Sequence, residues 1–184
     1  MIQKIVLDSD EGIRDISLPI DLPYLRSLEF KSLCTDLLDT LQSFKYGVAI
    51  SAIQIGIPKR IFLIQRSDRD GKRESPKYYI NPIVESTSEK LVKYYEACLS
   101  VNYAQTFGEV VRKYWVRISY LDEKGNSHTE KYDGLDARII LHEIDHLEGI
   151  LFTDIVDSST MKNLKEYLNY LSKKNNGQKT KENS

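Results

Sequence analysis

Cysteine is scarce in this chain, with two residues in 184. Cys34 and Cys98 cannot form the disulfide framework of a small secreted fold, and both are expected as thiols in a reducing compartment. An excess of either charge is also missing: 26 Lys and Arg stand against 27 Asp and Glu, a formal net charge of −1. No global field draws the chain to nucleic acid or to an anionic membrane, and neither is expected as a partner. No apolar run approaches the roughly 20 residues of a spanning helix. The opening MIQKIVLDSDEG has neither the basic stretch nor the apolar core of a secretory signal, so the cytoplasm is the expected compartment. Internal repeats are absent too. The one biased segment, KKNNGQKTKENS at 173–184, is polar, lysine-rich and without an apolar anchor, and is expected to be disordered. Residues 1–172 are expected to form a single domain, long enough for a sizeable core at 41% hydrophobic residues.

Pro23 precedes a long helical pattern in which Leu33, Leu37, Leu41 and Phe44 recur at helical spacing, and Gly47 ends it. RIFLIQ (60–65) and YYINPI (78–83) read as short strands on either side of a charged turn. EVVRKYWVRISYLD (109–122) reads as one half-buried strand. EKGN is then a hairpin turn, and the returning strand runs through His128 to Tyr132. A second helix follows Asp133-Gly134, over about Leu135 to Glu148, with Gly149 as its stop. A last helix is expected over about Ser159 to Leu171, with Met161, Leu164, Leu168 and Leu171 on one stripe. This order predicts an α+β fold of mainly antiparallel sheets around a central helix, with one helix near each terminus.

The central helix carries LHEIDHLEG, 141–149. Residues four apart on a helix are nearly superposed, about 6 Å along the axis, so His142 and His146 can aim at one metal ion. Glu143 is rotated about 100° from His142 and can reach a water at such an ion without being a ligand. Ile139, Ile140, Leu141, Ile144 and Leu147 cover several faces, so the helix is expected to be buried, and two buried imidazoles need partners. The same spacing occurs on surface helices that bind nothing. A catalytic ion commonly takes three protein ligands and a water, the third being a histidine, a carboxylate or a thiolate. His128 lies beside the hairpin turn and is expected at the surface. Asp145 and Glu148 are off the stripe of the two imidazoles. Cys34, in the first helix, reads as a small buried hydrophobe. Cys98, in YYEACLSV (94–101), remains.

EACLS followed downstream by HEIDH resembles the peptide deformylase family, whose pattern is Glu-Gly-Cys-Leu-Ser and then His-Glu-x-x-His. GVAISAIQIG, 47–56, resembles the family's Gly-Val-Gly-Leu-Ala-Ala-x-Gln-Val-Gly, and the three elements occur in family order. The resemblance implies one metal ion on Cys98, His142 and His146, and hydrolysis of the formyl group from N-formylmethionyl peptides with release of formate. Ferrous iron is the implied ion, although zinc, nickel or cobalt suit the same donors. Glu143 is then the general base that later returns a proton to the amine. The amide of Gln54 and the backbone N–H of Leu99 correspond to the family's oxyanion donors.

The same resemblance implies that segment 47–56 lies along the substrate like an added strand. Gly47 and Ala49 would line the peptide, and Ile50 would help to wall a pocket for the methionine side chain. Glu96 and Asp145 are expected to accept N–H bonds from the imidazoles, and Arg112 matches a family arginine near the cleft. Work on nascent chains implies a transient contact with the ribosome. Among the departures from the family pattern are Ala49 for glycine, Ile53 where proline is common, and Ala97 for the glycine before the cysteine. Each adds a side chain or changes backbone freedom near the chemistry. They leave two alternatives open, a related hydrolase of another N-acyl substrate or a peptide-binding homologue with impaired turnover.

Overall fold

The structure is a computed structural model that describes residues 1–68 and 70–179, with side chains as far as residue 174. Two capped helices open it. Asp21 accepts from the Tyr24 N–H at the start of the one-turn α1 (Leu22–Leu25), and Ser27 accepts from the Phe30 N–H at the start of α2 (Leu28–Ser43). Each cap satisfies a first-turn donor that the helix itself leaves unpaired. Then come β1 (Ala49–Ser51), a 3-10 turn (Ala52–Ile55), β2 (Ile61–Ile64), β3 (Lys77–Thr87), β4 (Leu91–Glu96), β5 (Thr106–Lys113), β6 (Trp115–Leu121) and β7 (Ser127–Asp133). The chain continues through α3 (Gly134–Leu147), α4 (Phe152–Ile155), β8 (Val156–Asn163) and α5 (Leu164–Lys179). One sheet runs β1-β2-β3-β6-β7 and a second β4-β5-β8, with antiparallel pairing between all of these neighbours.

Strand alternation sends the larger sheet's side chains to two cores. Ile61 and Leu63 of β2, with Tyr78 and Ile80 of β3, meet Leu33, Leu37 and Leu41 of α2. Phe62 and Tyr79 point the other way and join Val116, Ile118 and Tyr120 under Ala137, Ile140, Ile144 and Leu147 of α3. IFLI is apolar throughout because both of its faces are covered. α3 also touches β5 of the smaller sheet, so it lies where the two sheets meet. The β6–β7 hairpin turns where Gly125 takes φ 84°, and the Asp122 carboxylate accepts from the N–H groups of Lys124 and Asn126.

Three sequence expectations change. The segment 109–122 is two strands in different sheets, β5 and β6, divided at Tyr114, whose N–H and C=O bond to Lys90 and Gly134. A run of β-branched residues carries no mark of which sheet it joins. The expected helix from Ser159 begins only at Leu164, because Val156–Asn163 pairs with β5. Asn163 starts α5 with a reciprocal cap: its Oδ1 accepts from the Glu166 N–H, and Glu166 accepts from its own N–H. The polar segment from Lys173 continues α5 to Lys179, and residues 180–184 lie outside the described residues.

Candidate metal centre

The apolar stripe of α3 seats it on the sheet and fixes which way its other face looks. Glu143 and His146 are buried and His142 is partly buried. Cys98, two residues beyond the end of β4, is buried at 2% exposure, and its Sγ lies 3.1 Å from His146 Nε2. The Cys98 sulfur and one nitrogen from each imidazole all fall within 4.8 Å of one another. Residues 44 and 48 positions apart along the chain thus converge as one thiolate-and-imidazole donor set. These are borderline and soft donors of the kind that hold zinc and divalent iron.

The next layer of contacts orients that set. Glu96 Oε2 accepts from His142 Nδ1 at 2.9 Å, which leaves Nε2 of that ring as the donor atom. The Glu96 carboxylate also takes Arg112 through two bonds, Nε at 2.5 Å and Nη2 at 2.9 Å, and Arg138 Nη1 at 2.6 Å. Burial pushes the Glu96 carboxyl up, but His142 and Arg112 outweigh it and hold the group well below the usual carboxylate range. Burial lowers His142, yet hydrogen bonding to Cys98 and Glu96 raises it well above the usual range. His146 is held well below its usual range by burial and by His142, which keeps its ring neutral. Glu143 is raised to about 7 by burial. Among the described residues, Glu143 Oε2 and His146 Nδ1 are buried without a hydrogen-bond partner. A paired set of donors with an unsatisfied carboxylate oxygen beside it fits a cation and a water.

Gln54 arrives from the 3-10 turn. Its Oε1 accepts from the Ser51 N–H at 2.9 Å and the Ser51 hydroxyl at 3.2 Å. Its Nε2 reaches Cys98 Sγ at 3.4 Å and Ser100 Oγ at 3.2 Å. Leu99 is buried, and among the described residues its backbone N–H has no acceptor. Glu143, Gln54 and Leu99 therefore all lie on or beside the segments that carry the three donors.

Several expected neighbours sit elsewhere. Ile50 is fully buried in the core with α2, because alternation along β1 sends it away from α3. Arg112 is 6% exposed and its guanidinium is committed to Glu96 and to Asp145, the latter at 2.7 Å, rather than facing a cleft. Asp145 accepts from Arg112 and not from an imidazole. The Gly47 carbonyl accepts from Arg73, and a Cβ on this glycine would lie 2.9 Å from Leu41 Cδ1, so close packing requires the glycine. Ala49 is partly buried on β1, which among the described residues has no strand on its outer side. His128 bonds to Asp122, away from the metal donors. Sequence reasoning missed Arg138, whose signal was a cation one helical turn before His142 in an apolar helix. It also missed Ser51 and Ser100.

Comparison with known proteins agrees with this geometry. The family model for polypeptide deformylase matches residues 2–162. A peptide deformylase of Pelagibacter ubique is 38% identical over 153 residues, covering 83% of this chain and 85% of its own. One from Maricaulis maris is 35% identical, covering 83% and 84%. A Met-Ala-Ser-bound class I type b peptide deformylase from Acinetobacter baumannii superposes with a TM-score of 0.76 at 27% identity, covering 85% of this chain and 99% of that one. A peptide deformylase from Legionella pneumophila gives 0.75 at 30%, covering 85% and 87%. With a family model that spans both the thiol and the histidine helix, this chain belongs to the polypeptide deformylases, metal-dependent enzymes that remove the N-formyl group from nascent peptides.

Proposed function

We propose that Cys98, His142 and His146 hold a single divalent cation, ferrous iron in the native enzyme, and that this centre deformylates N-formylmethionyl peptides in the cytoplasm. The observation that carries the reading is the meeting of one sulfur and two imidazoles beside a buried carboxylate oxygen with no partner. When bound, the cation supplies the Lewis acidity that makes water a nucleophile near neutral pH. Glu143 takes the proton from the attacking water and passes it to the departing amine nitrogen. Burial keeps its basicity near 7, suited to both transfers. Gln54 Nε2 and the Leu99 N–H receive the charge that develops on the formyl oxygen.

The outer edge of β1 offers Ala49 backbone groups to an extended peptide. The Met-Ala-Ser tripeptide carried by the Acinetobacter baumannii relative supports a methionyl peptide as the occupant. Residues 1–172 act as one catalytic domain, and contact with the ribosome is transient. The test is Cys98→Ala prepared anaerobically: bound metal and formate release are expected to fall together. Full metal content in that variant would require another ligand and end the reading.

A further inference from the structure

A carboxamide is nearly symmetric in shape, and its chemistry depends on which end faces the reaction. Gln54 is 2% exposed, and its Oε1 receives two donors from one residue, the Ser51 N–H at 2.9 Å and the Ser51 hydroxyl at 3.2 Å. Turning the group over would set its NH2 against the Ser51 N–H, leave that buried donor unpaired and break the bond that the hydroxyl donates to Oε1. We infer that Ser51 is a positioning residue, holding the Gln54 carboxamide so that Nε2 faces Cys98 and Ser100. The inference rests on the role given to Gln54 above and names the residue that enforces it.

Local backbone makes the arrangement possible. Ser51 ends β1 in an extended conformation, φ −98° and ψ 155°, and is the residue from which the 3-10 turn starts. Its N–H and side chain therefore both meet the side chain three positions on, inside a fully buried pocket. The acceptor on the far side is fixed as well. Ser100 is fully buried, and its backbone carbonyl accepts from the Asp8 N–H at 2.8 Å. The family pattern has alanine at position 51, which supplies the backbone N–H alone, so the hydroxyl is a second bond to Oε1 carried by this chain. One Nε2 hydrogen is spent on sulfur, a weak acceptor. An oxygen that gains negative charge beside Cys98 draws that hydrogen away without any rotation of the amide.

The test follows the Gln54 side-chain amide by proton–nitrogen NMR in zinc-loaded protein, with kcat and KM measured on ferrous protein for a formyl-methionyl peptide. Ser51→Ala is expected to speed exchange of the Nε2 protons. It is also expected to lower kcat about three- to tenfold, the ratio that one ordinary hydrogen bond carries, with KM and metal content unchanged. Gln54 signals identical to those of the native protein overturn the inference whatever the rate does. So does a loss carried by KM or by metal content. A loosened amide in Ser51→Ala, with Gln54→Ala fully active, supports the positioning and removes instead the role given to Gln54, so the two failures read separately.

Discussion

Cys34 and Cys98 carry the same thiol to opposite ends. Cys98 joins two imidazoles, whereas Cys34 is partly buried against the α2 core and is pushed up to about 12 by burial. A thiol whose native pKa is raised stays protonated through the range where a free thiol ionises, about 8.5. Its contribution to stability is intact below that value and is lost as pH rises toward 12. Alkylation of Cys34 by iodoacetamide is therefore expected to track global unfolding from pH 7 to 10. A labelling rate that climbs with pH as a free thiol's does would contradict the burial. The role proposed for Glu143 is a different one. Glu143→Ala leaves all three metal donors in place, so metal content is expected to stay and kcat to fall about 10²- to 10⁴-fold. Unchanged turnover in metal-loaded protein would remove its assigned role.

β4, β5 and α3 meet through charge rather than through oil. Glu96 from β4 is bound by Arg112 from β5 and by Arg138 and His142 from α3, while Arg112 also holds Asp145 on the same helix. Arg138 adds bonds to the carbonyls of Val110 and Val92 at 3.0 and 2.8 Å. Removing one member of a buried pair leaves the other charge uncompensated, at a cost of roughly 3–5 kcal/mol. Arg112→Ala strips partners from two carboxylates at once. It is expected to lower the free energy of urea unfolding by about that amount and to weaken metal retention, since the acceptor that orients His142 is loosened. A change below about 1 kcal/mol would mean that water takes over the guanidinium's bonds.

The three motif segments lie far apart in the chain, and the N-terminal stretch straps them together. Val6 N–H bonds to the Gln54 carbonyl at 2.9 Å, Asp8 N–H to the Ser100 carbonyl at 2.8 Å and Ser17 N–H to the Leu147 carbonyl at 2.9 Å. Gly149 lets the strap pass, because a Cβ there would stand 2.2 Å from the Arg14 carbonyl oxygen. Ile53, which stands where proline is common, packs with Ile13 and Leu151 beneath it. Ile5, 2% exposed, anchors the strap in the α2 core. Ile5→Ala is expected to cost about 2–4 kcal/mol and to speed metal loss to a chelator, although it touches no donor. Equal stripping rates in the native and variant proteins would separate the strap from the site.

The convergence of Cys98, His142 and His146, a group that could hold a metal, was legible in two histidines one turn apart on an apolar helix and a cysteine in a motif that matched a family pattern. So were the antiparallel α+β class and the positions of α2, β2, β7 and α3, because periods of 3.6 and 2 are written locally. Tertiary structure alone decided the partners. Arg112 reads as a solvated strand arginine until α3 brings Asp145 to it. Tyr114 reads as mid-strand until two sheets claim its flanks, and Val156–Asn163 reads as helix until β5 offers it an edge. Periodicity records which face of a segment is apolar. Which carboxylate meets which guanidinium, and which carbonyl a strap reaches, depends on distances closed only when remote segments pack, and no spacing within a segment encodes them.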